Sequence, residues 1–471
     1  MERKTKIVCT IGPATESEEM LVKMAKAGMN VCRLNFSHET HEEHLARINR
    51  IRKVEKESGC KFSILLDTKG PEIRTGIFKN GQESYAKGDI VTLCKEEIEG
   101  TKERFHIQCP EVFDDVEEGG TILIDDGKVR LTILEKHPGE LVCRVENPGV
   151  IKNRKGCNVP GVKLSMPFIS KKDESDIRFA CRQNLDFIAA SFTRRKQDIL
   201  DIRKILQEEG NDRIQIIAKI ENQEGYDNLD DILNVADGIM VARGDLGVDV
   251  SVELVPIYQK MMIKRANEYG KPVITATHML ESMQNNPRST RAEASDVANA
   301  ILDGTDAIML SGESAVGSYP LEAVNTMVRI STAMEEILPY RERLEKAIST
   351  SRKTIEDAIG IAAADSATSL EAAAIICFTS SGNSVKRISK YRSKSPIIAV
   401  CFERDVERSL ALQWGVTTYL SDVQNTQLNE CELARRIAKE HGIKIGETII
   451  LVAGYPQGTG ATNTLKIIEV R

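Results

Sequence analysis

Eight short apolar runs recur along the chain: KIVCTIG (Lys6 to Gly12), NVCRLNFS (Asn30 to Ser37), SILLDTKG (Ser63 to Gly70), DFIAASF (Asp186 to Phe192), IQIIAKIE (Ile214 to Glu221), GIMVARGD (Gly238 to Asp245), VITATHML (Val273 to Leu280) and AIMLSGES (Ala307 to Ser314). Runs with little polar alternation predict strands buried on both faces, which means parallel strands under a helical cover. The charged segments between most of them, such as ESEEMLVKMAKAG and HEEHLARINRIRKVEKESG, have helical spacing, and the second ends in Gly59 as a helix C-cap does. Eight such units predict a (β/α)8 barrel. Strand starts near residues 7, 31, 64, 187, 215, 239, 273 and 307 give intervals of 24, 33, 123, 28, 24, 34 and 34. All but the third have the size of one βα unit.

The interval of 123 must hold an insertion. From about Pro71 to Pro167 the pattern changes to short alternating runs, DIVTLC, GTILIDDGKVRLTILE and ELVCRVEN, punctuated by Gly and Asn, so a small β domain is expected there. An insertion after the third strand sits at the barrel's C-terminal face, placed to act as a lid. After the charged helix RERLEKAIST, a third region starts near Thr354: a stretch taken as helical, ATSLEAAAIICFTSSGNS, gives way to SPIIAVCFE, VTTYLS and ETIILVAG. That alternation fits an open α/β sheet. The expected division is 1–70 with 168–345 for the barrel, 71–167 for the insertion and 354–471 for the last domain.

Composition changes this picture little. The chain has 471 residues, 41% of them hydrophobic, and a net charge of -6, which argues against nucleic acid or a membrane surface as the main partner. The start MERKTKIVCTIG lacks the apolar stretch of a signal peptide, and no apolar run reaches membrane-spanning length, so cytoplasm is the expected location. Eleven cysteines without a C-x-x-C pair, several in apolar runs (Cys9, Cys32, Cys181, Cys377), fit reduced thiols used as small hydrophobes.

The candidate chemistry lies at the strand ends. Lys219 and Glu221 in AKIEN are two apart and share one face of their strand, and Asp245 ends the next run in VARGDLG. A cation beside two carboxylates at a strand mouth suits magnesium-assisted phosphoryl or enolate chemistry, although a structural ion pair can also collect there. In NVCRLNFS, Arg33, Asn35 and Ser37 are two apart and project into the barrel mouth, whereas Cys32, Leu34 and Phe36 face the helices. Asp67, Thr68 and Thr277 add to the same end. A merely structural polar set has no reason to choose that face, and the barrel-end rule makes it a site. No G-x-x-x-x-G-K-[ST] occurs, so Arg33, Arg74, Lys155 and Lys219 must carry phosphate charge.

The segments KIVCTIGP, RLNFSH, LLDTKGPEIRTG, KGCNVPG, KIENQEG, DGIMVARGDLGV, ITATHML, RAEASDVANAILDGTDAIMLSGESAVGSYP and GTGATNT, in this order, make the whole chain resemble the pyruvate kinases. The resemblance implies an α/β fold: a TIM barrel, an inserted small β-barrel lid and a C-terminal open α/β sheet without an appended phosphotransfer-like module. It implies a homotetramer that transfers the phosphoryl group of phosphoenolpyruvate to ADP, with Mg2+ (or Mn2+) and K+ as cofactors. Position by position, it implies Glu221 and Asp245 as magnesium ligands and Lys219 as the lysine that meets the transferring phosphoryl group. Arg33 becomes a contact to the substrate phosphate, Gly244 with the next helix start holds the substrate carboxylate, and Thr277 lies near the carbon that is protonated. Asn35, Ser37, Asp67 and Thr68 form the implied potassium shell, and Glu72 is the residue type that accompanies potassium dependence. Asn35, Phe36, Ser37, His38, Arg74 and Lys155 are the implied nucleotide contacts.

Two positions depart from the family pattern: His278 stands where Gln is usual, and Ser289 where Pro is common ahead of Arg291, a residue linked to subunit contacts. His41 and His44 are expected to be solvated. The loop Thr379, Ser380, Ser381, Gly382, Asn383 and Ser384 is where the family holds a sugar-phosphate effector, so a sugar phosphate or AMP is a candidate ligand and a plain turn the alternative. Two other classes fit part of the pattern. A barrel lyase acting on phosphoenolpyruvate or oxaloacetate would use Mg2+ and an arginine, but would not need the inserted lid, the potassium shell, Arg74 or Lys155. A metabolite sensor would keep the C-terminal loop and lose site residues, and here every site residue is present.

Overall fold

The structure is a computed structural model that describes residues 3–351, 354–421, 430–454 and 462–471. The apolar runs form the strands β1 (Lys6–Thr10), β2 (Val31–Asn35), β3 (Ser63–Asp67), β4 (Phe187–Ala190), β5 (Gln215–Ile220), β6 (Gly238–Ala242), β7 (Val273–Ala276) and β8 (Ala307–Leu310). All pair in parallel and in chain order, and β8 closes on β1 with Lys6 opposite Ala307. Alternation sorts the side chains. Val31, Leu65, Ala189, Ile217 and Met240 fill the interior, while Cys32, Leu34, Ile64, Ile188 and Ile216 pack outward under the helices.

The helices are capped as their sequences ask. Glu18–Ala27 starts at Ser17, whose side chain accepts from the Met20 N–H. His41–Ser58 starts in a reciprocal Thr40/Glu43 capping box and ends at Gly59 with φ 70°. No helix among the described residues is long and apolar enough to cross a membrane.

Between β3 and β4, the insertion encloses its own apolar core, including Phe78, Phe105, Ile122 and Leu131. Its ladders make a seven-stranded sheet and a separate two-stranded ribbon, and isolated bridges pair Thr75 with Ile107 and Phe78 with Gly100. The C-terminal sheet contains β9 (Ala374–Thr379), β10 (Ile397–Cys401), β11 (Val416–Leu420), β12 (Thr448–Gly454) and β13 (Thr462–Glu469), in the order β11-β10-β9-β12-β13 with β13 antiparallel. This corrects the helical reading of ATSLEAAAIICFTSSGNS. The helix Ile355–Ser369 stops early, and Ala374–Thr379 is the central strand, because Ile375 and Cys377 enter one apolar layer and Ala374 and Ile376 the other. Of the motif GTGATNT, residues 458–461 lie outside the described residues and the remainder opens β13.

A ring of polar side chains at the foot of the barrel escaped the sequence reading. Asn30, Asp186, Asp237 and Asp306 stand just ahead of the even-numbered strands. Each accepts the backbone N–H of a residue near the start of the strand before it: Ile7 at 2.9 Å, Ile64 at 2.7 Å, Ile216 at 2.8 Å and Val273 at 3.0 Å. Each also meets an arginine: Arg3 at 2.9 Å, Arg52 at 3.0 Å, Arg203 at 2.7 Å and Arg392 at 3.0 Å. The first three arginines belong to the barrel, and the fourth comes from the C-terminal domain. That domain also supplies Leu412, which is fully buried against the interior residues Val8, Val31 and Ile217 and plugs the foot.

Removing this plug leaves a cavity that two rigid layers cannot collapse into. Leu412→Ala should lower stability by about 2–5 kcal/mol. Thermal unfolding at fixed protein concentration checks this, and an unchanged midpoint would show that the plug contributes nothing.

Candidate active site

The C-terminal ends of the barrel strands carry a connected set of charges. Registers Asn35–Asp67 and Ala189–Asp67 put β2, β3 and β4 at one level. Asp67, 1% exposed, is the hub. Its Oδ2 accepts from Arg33 Nε at 2.7 Å, and its Oδ1 accepts from Lys219 Nζ at 2.9 Å and Ser191 Oγ at 3.1 Å. Arg33 also donates to Thr10 Oγ1 at 2.8 Å, and Lys219 donates to Ser191 Oγ at 2.7 Å and lies 3.1 Å from Glu221 Oε1. Burial pushes the Asp67 carboxyl up, but the two cations outweigh it and hold it below its usual range. Burial pulls Lys219 down, and Asp67 with Glu221 overcomes that and keeps the ammonium charged.

Glu221 differs. It is 2% exposed and accepts the Phe192 N–H at 2.5 Å, yet burial, joined by the negative charge of Asp245, raises its carboxyl to about 7 despite Lys219. Two carboxylates facing one cavity with too little positive charge between them suit a hard divalent ion with oxygen ligands. Among the described residues no cluster of three or more His, Cys, Asp or Glu could hold a metal, so such an ion would take its other oxygens from substrate and water.

Thr277 follows β7 at φ 67° and His278 at φ 53°, left-handed conformations that are uncommon outside glycine and costly for a β-branched residue. The first residues after the neighbouring strand hold this conformation. The Gly244 N–H donates to Thr277 Oγ1 at 2.8 Å, and Arg243 donates to the Thr277 carbonyl at 2.6 Å while pairing with Asp296 at 2.7 Å. Asp245, half-buried, sits in the first turn of the helix Arg243–Asp249, which starts directly after β6. His278 is exposed and borders a hollow of about 870 Å³ shared with Gly244 and Asp245.

The insertion closes over this end. A cavity of about 360 Å³ is lined by Glu72, Arg74 and Lys155 on one side and by Glu221 and Asp245 on the other. Arg74 donates to Glu72 at 2.8 Å, and Lys155 pairs with Asp125 at 2.9 Å. Arg194 ties the insertion down by donating to the carbonyls of Leu164 at 2.7 Å and Met166 at 3.0 Å.

Asn35 Oδ1 accepts the Ser37 N–H at 3.1 Å, and Thr68 Oγ1 accepts the Ser191 N–H at 3.1 Å. The Phe36 ring is fully buried and stacks on His44 at 3.8 Å, on the helix side of the strand as the alternation predicts. His38 is exposed. His44 is not solvated but 1% exposed, and burial holds its pKa down, while His41 is half-buried and bonded to Asp176 at 2.6 Å.

In the C-terminal loop the Gly382 N–H donates to Thr379 Oγ1 at 2.8 Å and Ser384 Oγ meets Thr462 Oγ1. Ser380 and Asn383 are exposed, and the helix Asn383–Ser389 carries no side-chain cap.

Sequence reasoning passed over Ser191, Thr10 and Arg243. Ser191 continues the inward alternation of Phe187 and Ala189, and that signal could have found it. Arg243 could not be placed without the fold.

Comparison with known proteins agrees with this geometry. Residues 2–324 match the family model "Pyruvate kinase, barrel domain" and residues 357–468 match "Pyruvate kinase, alpha/beta domain". The chain belongs to the pyruvate kinase family. It is 52% identical over 471 residues to a pyruvate kinase of Geobacillus stearothermophilus, covering 99% of this chain and 80% of that one. A Staphylococcus saprophyticus pyruvate kinase is also 52% identical with the same coverage. A crystal structure of a pyruvate kinase from Cryptosporidium parvum, 40% identical, superposes with a TM-score of 0.96 over 100% of this chain and 96% of that one. The protein is therefore a phosphotransferase of the pyruvate kinase type, moving a phosphoryl group from phosphoenolpyruvate to ADP to give pyruvate and ATP.

The raised Glu221 carboxyl has a consequence for stability. The folded protein holds this proton up to about pH 7 and the unfolded chain releases it near 4.5, so folding loses free energy as pH rises through that window, by at most about 3 kcal/mol. In metal-free buffer, Glu221→Gln should melt higher than the parent at pH 8, with the gap closing toward pH 5. Thermal melts across that range check it, and a gap independent of pH would contradict it.

Proposed function

We propose that Lys219, held between Asp67 and Glu221, is the fixed positive charge on which phosphoryl transfer runs. The observation that carries this is its burial in an ion-pair network with Asp67 and Glu221, where water screens it poorly. Arg33 binds the phosphoryl oxygens of phosphoenolpyruvate from the other side of Asp67. Arg74 and Lys155, on the insertion, face them across the cavity and neutralise the phosphates of ADP, whose remaining contacts come from the segment Asn35 to His38. Donor and acceptor are thereby placed in line inside a space that excludes most water.

Glu221 and Asp245 hold the divalent cation, and Asn35, Ser37, Asp67 and Thr68 the potassium, with Glu72 nearby. Such ions supply charge neutralisation of the phosphates and of the developing enolate. As the phosphoryl group leaves, Lys219 stabilises the negative charge on the enolate oxygen. The Gly244 end of the helix Arg243–Asp249 orients the substrate carboxylate. Thr277, fixed by Gly244 and Arg243, positions the water that delivers a proton to the methylene carbon and completes pyruvate.

The proposal extends to the domain boundaries 1–70 with 168–345, 71–167 and 354–471, a homotetramer working in the cytoplasm, and an effector carrying a phosphate at Thr379–Ser384.

Lys219→Met should reduce turnover by about 10³-fold or more while the fold is kept, because charge stabilisation of this kind is the largest single contribution to such a reaction. Pyruvate formation from phosphoenolpyruvate and ADP, followed through a coupled NADH assay, checks it, and near-normal turnover would remove Lys219 from this role. In the same assay the parent enzyme should need both Mg2+ and K+. Equal rates in K+ and in a large organic cation would overturn the potassium assignment.

A further inference from the structure

A cavity of about 370 Å³ lies where the barrel, the connecting helix Tyr340–Ser349 and the C-terminal domain meet; no residue of the loop Thr379–Ser384 lines it, and its Lys260 and Asp303 also border the hollow beside Gly244 and Asp245. Its charged lining is lopsided. Lys260 and Lys264 come from a barrel helix, Arg343 and Lys346 from the connecting helix, and Lys390 and Arg392 from the C-terminal domain, against two carboxylates, Glu268 and Asp303. Those two are already engaged, Asp303 with Lys260 and Glu268 with Arg265 and Lys264. Lys390 pairs with Asp357 and Arg392 with Asp306 outside the lining, so Arg343 and Lys346 are the lining cations in no ion pair among the described residues, a surplus of two positive charges.

One buried cation among these is the most telling. Arg392 is 8% exposed, and its Nη2 donates to Asn267 Oδ1 at 2.6 Å and meets Asp306 at 3.0 Å. Its buried Nε and Nη1 find no acceptor among the described residues, and its backbone sits at φ 51°. Unpaired guanidinium hydrogens inside a protein are costly, as is that backbone conformation. Burial and the charge of Arg392 together pull Arg343 below its ordinary pKa, against the opposing pull of Tyr340 and Asp303.

We propose that this cavity binds a small phosphorylated metabolite, its phosphate held by Arg343, Lys346 and Arg392. A phosphate offers several acceptor oxygens and about two negative charges, which matches the missing acceptors and the surplus charge. The volume suits a sugar phosphate or a mononucleotide. Arg392 completes the foot ring through Asp306, so a ligand drawing on Arg392 also touches the contact that joins the C-terminal domain to β7 and β8.

The chain provides its own reporter. Its single tryptophan, Trp414, has the Arg392 guanidinium over its ring at 5.0 Å. The parent protein is titrated with glucose 6-phosphate, ribose 5-phosphate and AMP, following Trp414 emission and calorimetric heat, with glucose, ribose and adenosine as phosphate-free controls. At least one phosphorylated probe should shift the emission saturably at concentrations of about 1 mM or below, and the controls should not.

Arg343→Gln with Lys346→Gln should weaken that binding by about tenfold or more. The loop variant Ser380→Ala with Ser381→Ala should keep it. Lys346→Gln by itself, a solvent-side change, guards against misfolding of the double variant and should show a partial loss. The reading is overturned if no probe binds saturably up to about 10 mM, or if the loop variant abolishes the emission change while the Arg343/Lys346 variant keeps it. Because the readout is binding, it is independent of turnover.

Discussion

One buried carboxylate organises the active end of this enzyme. Asp67 takes Arg33 on one oxygen and Lys219 on the other, so two cations that would repel one another are fixed on either side of a shared anion. In a low-dielectric pocket such an arrangement stands only if every charge is paired and hydrogen-bonded. Ser191, Thr10 and Thr68 supply the remaining bonds. Glu221 is the member left short of positive charge, and its elevated carboxyl marks where the network asks for a cation.

The opposite end of the barrel solves a different problem with the same chemistry. Each even-numbered strand begins beside a short polar side chain that ties down the backbone of its neighbour and pairs with an arginine. Three of these arginines are local, and the fourth is Arg392 of the C-terminal domain. With Leu412 seated in the barrel interior, that domain completes the barrel. A shift of the C-terminal domain therefore acts directly on the start of β7 and β8. β7 runs from that foot contact directly into Thr277, so both lie on one strand and the residue after it.

Much of this was legible in the chain. The eight strands could be placed because parallel strands buried on both faces leave continuous apolar runs, and the inward set Arg33, Asp67, Lys219 and Glu221 followed from two-residue alternation near their ends. The misreadings have physical causes. Ala374–Thr379 lies in an alanine-rich stretch that local propensity favours as helix, and burial between two helical layers overrides it. His44 reads as solvated beside charged neighbours, yet its face of the helix turns toward Phe36, a contact between residues on different elements.

The sequence by itself determined the barrel, the insertion point and the identity of the chemical groups, because periodicity and residue type are local properties written along the chain. The tertiary structure decided which groups share a charge. That Asp67 serves both Arg33 and Lys219, that Arg243 holds Thr277 in a strained turn, and that Arg392 crosses from another domain to Asp306 all depend on strand register and domain packing. Electrostatic pairing acts over a few ångströms in space, whatever the separation along the chain.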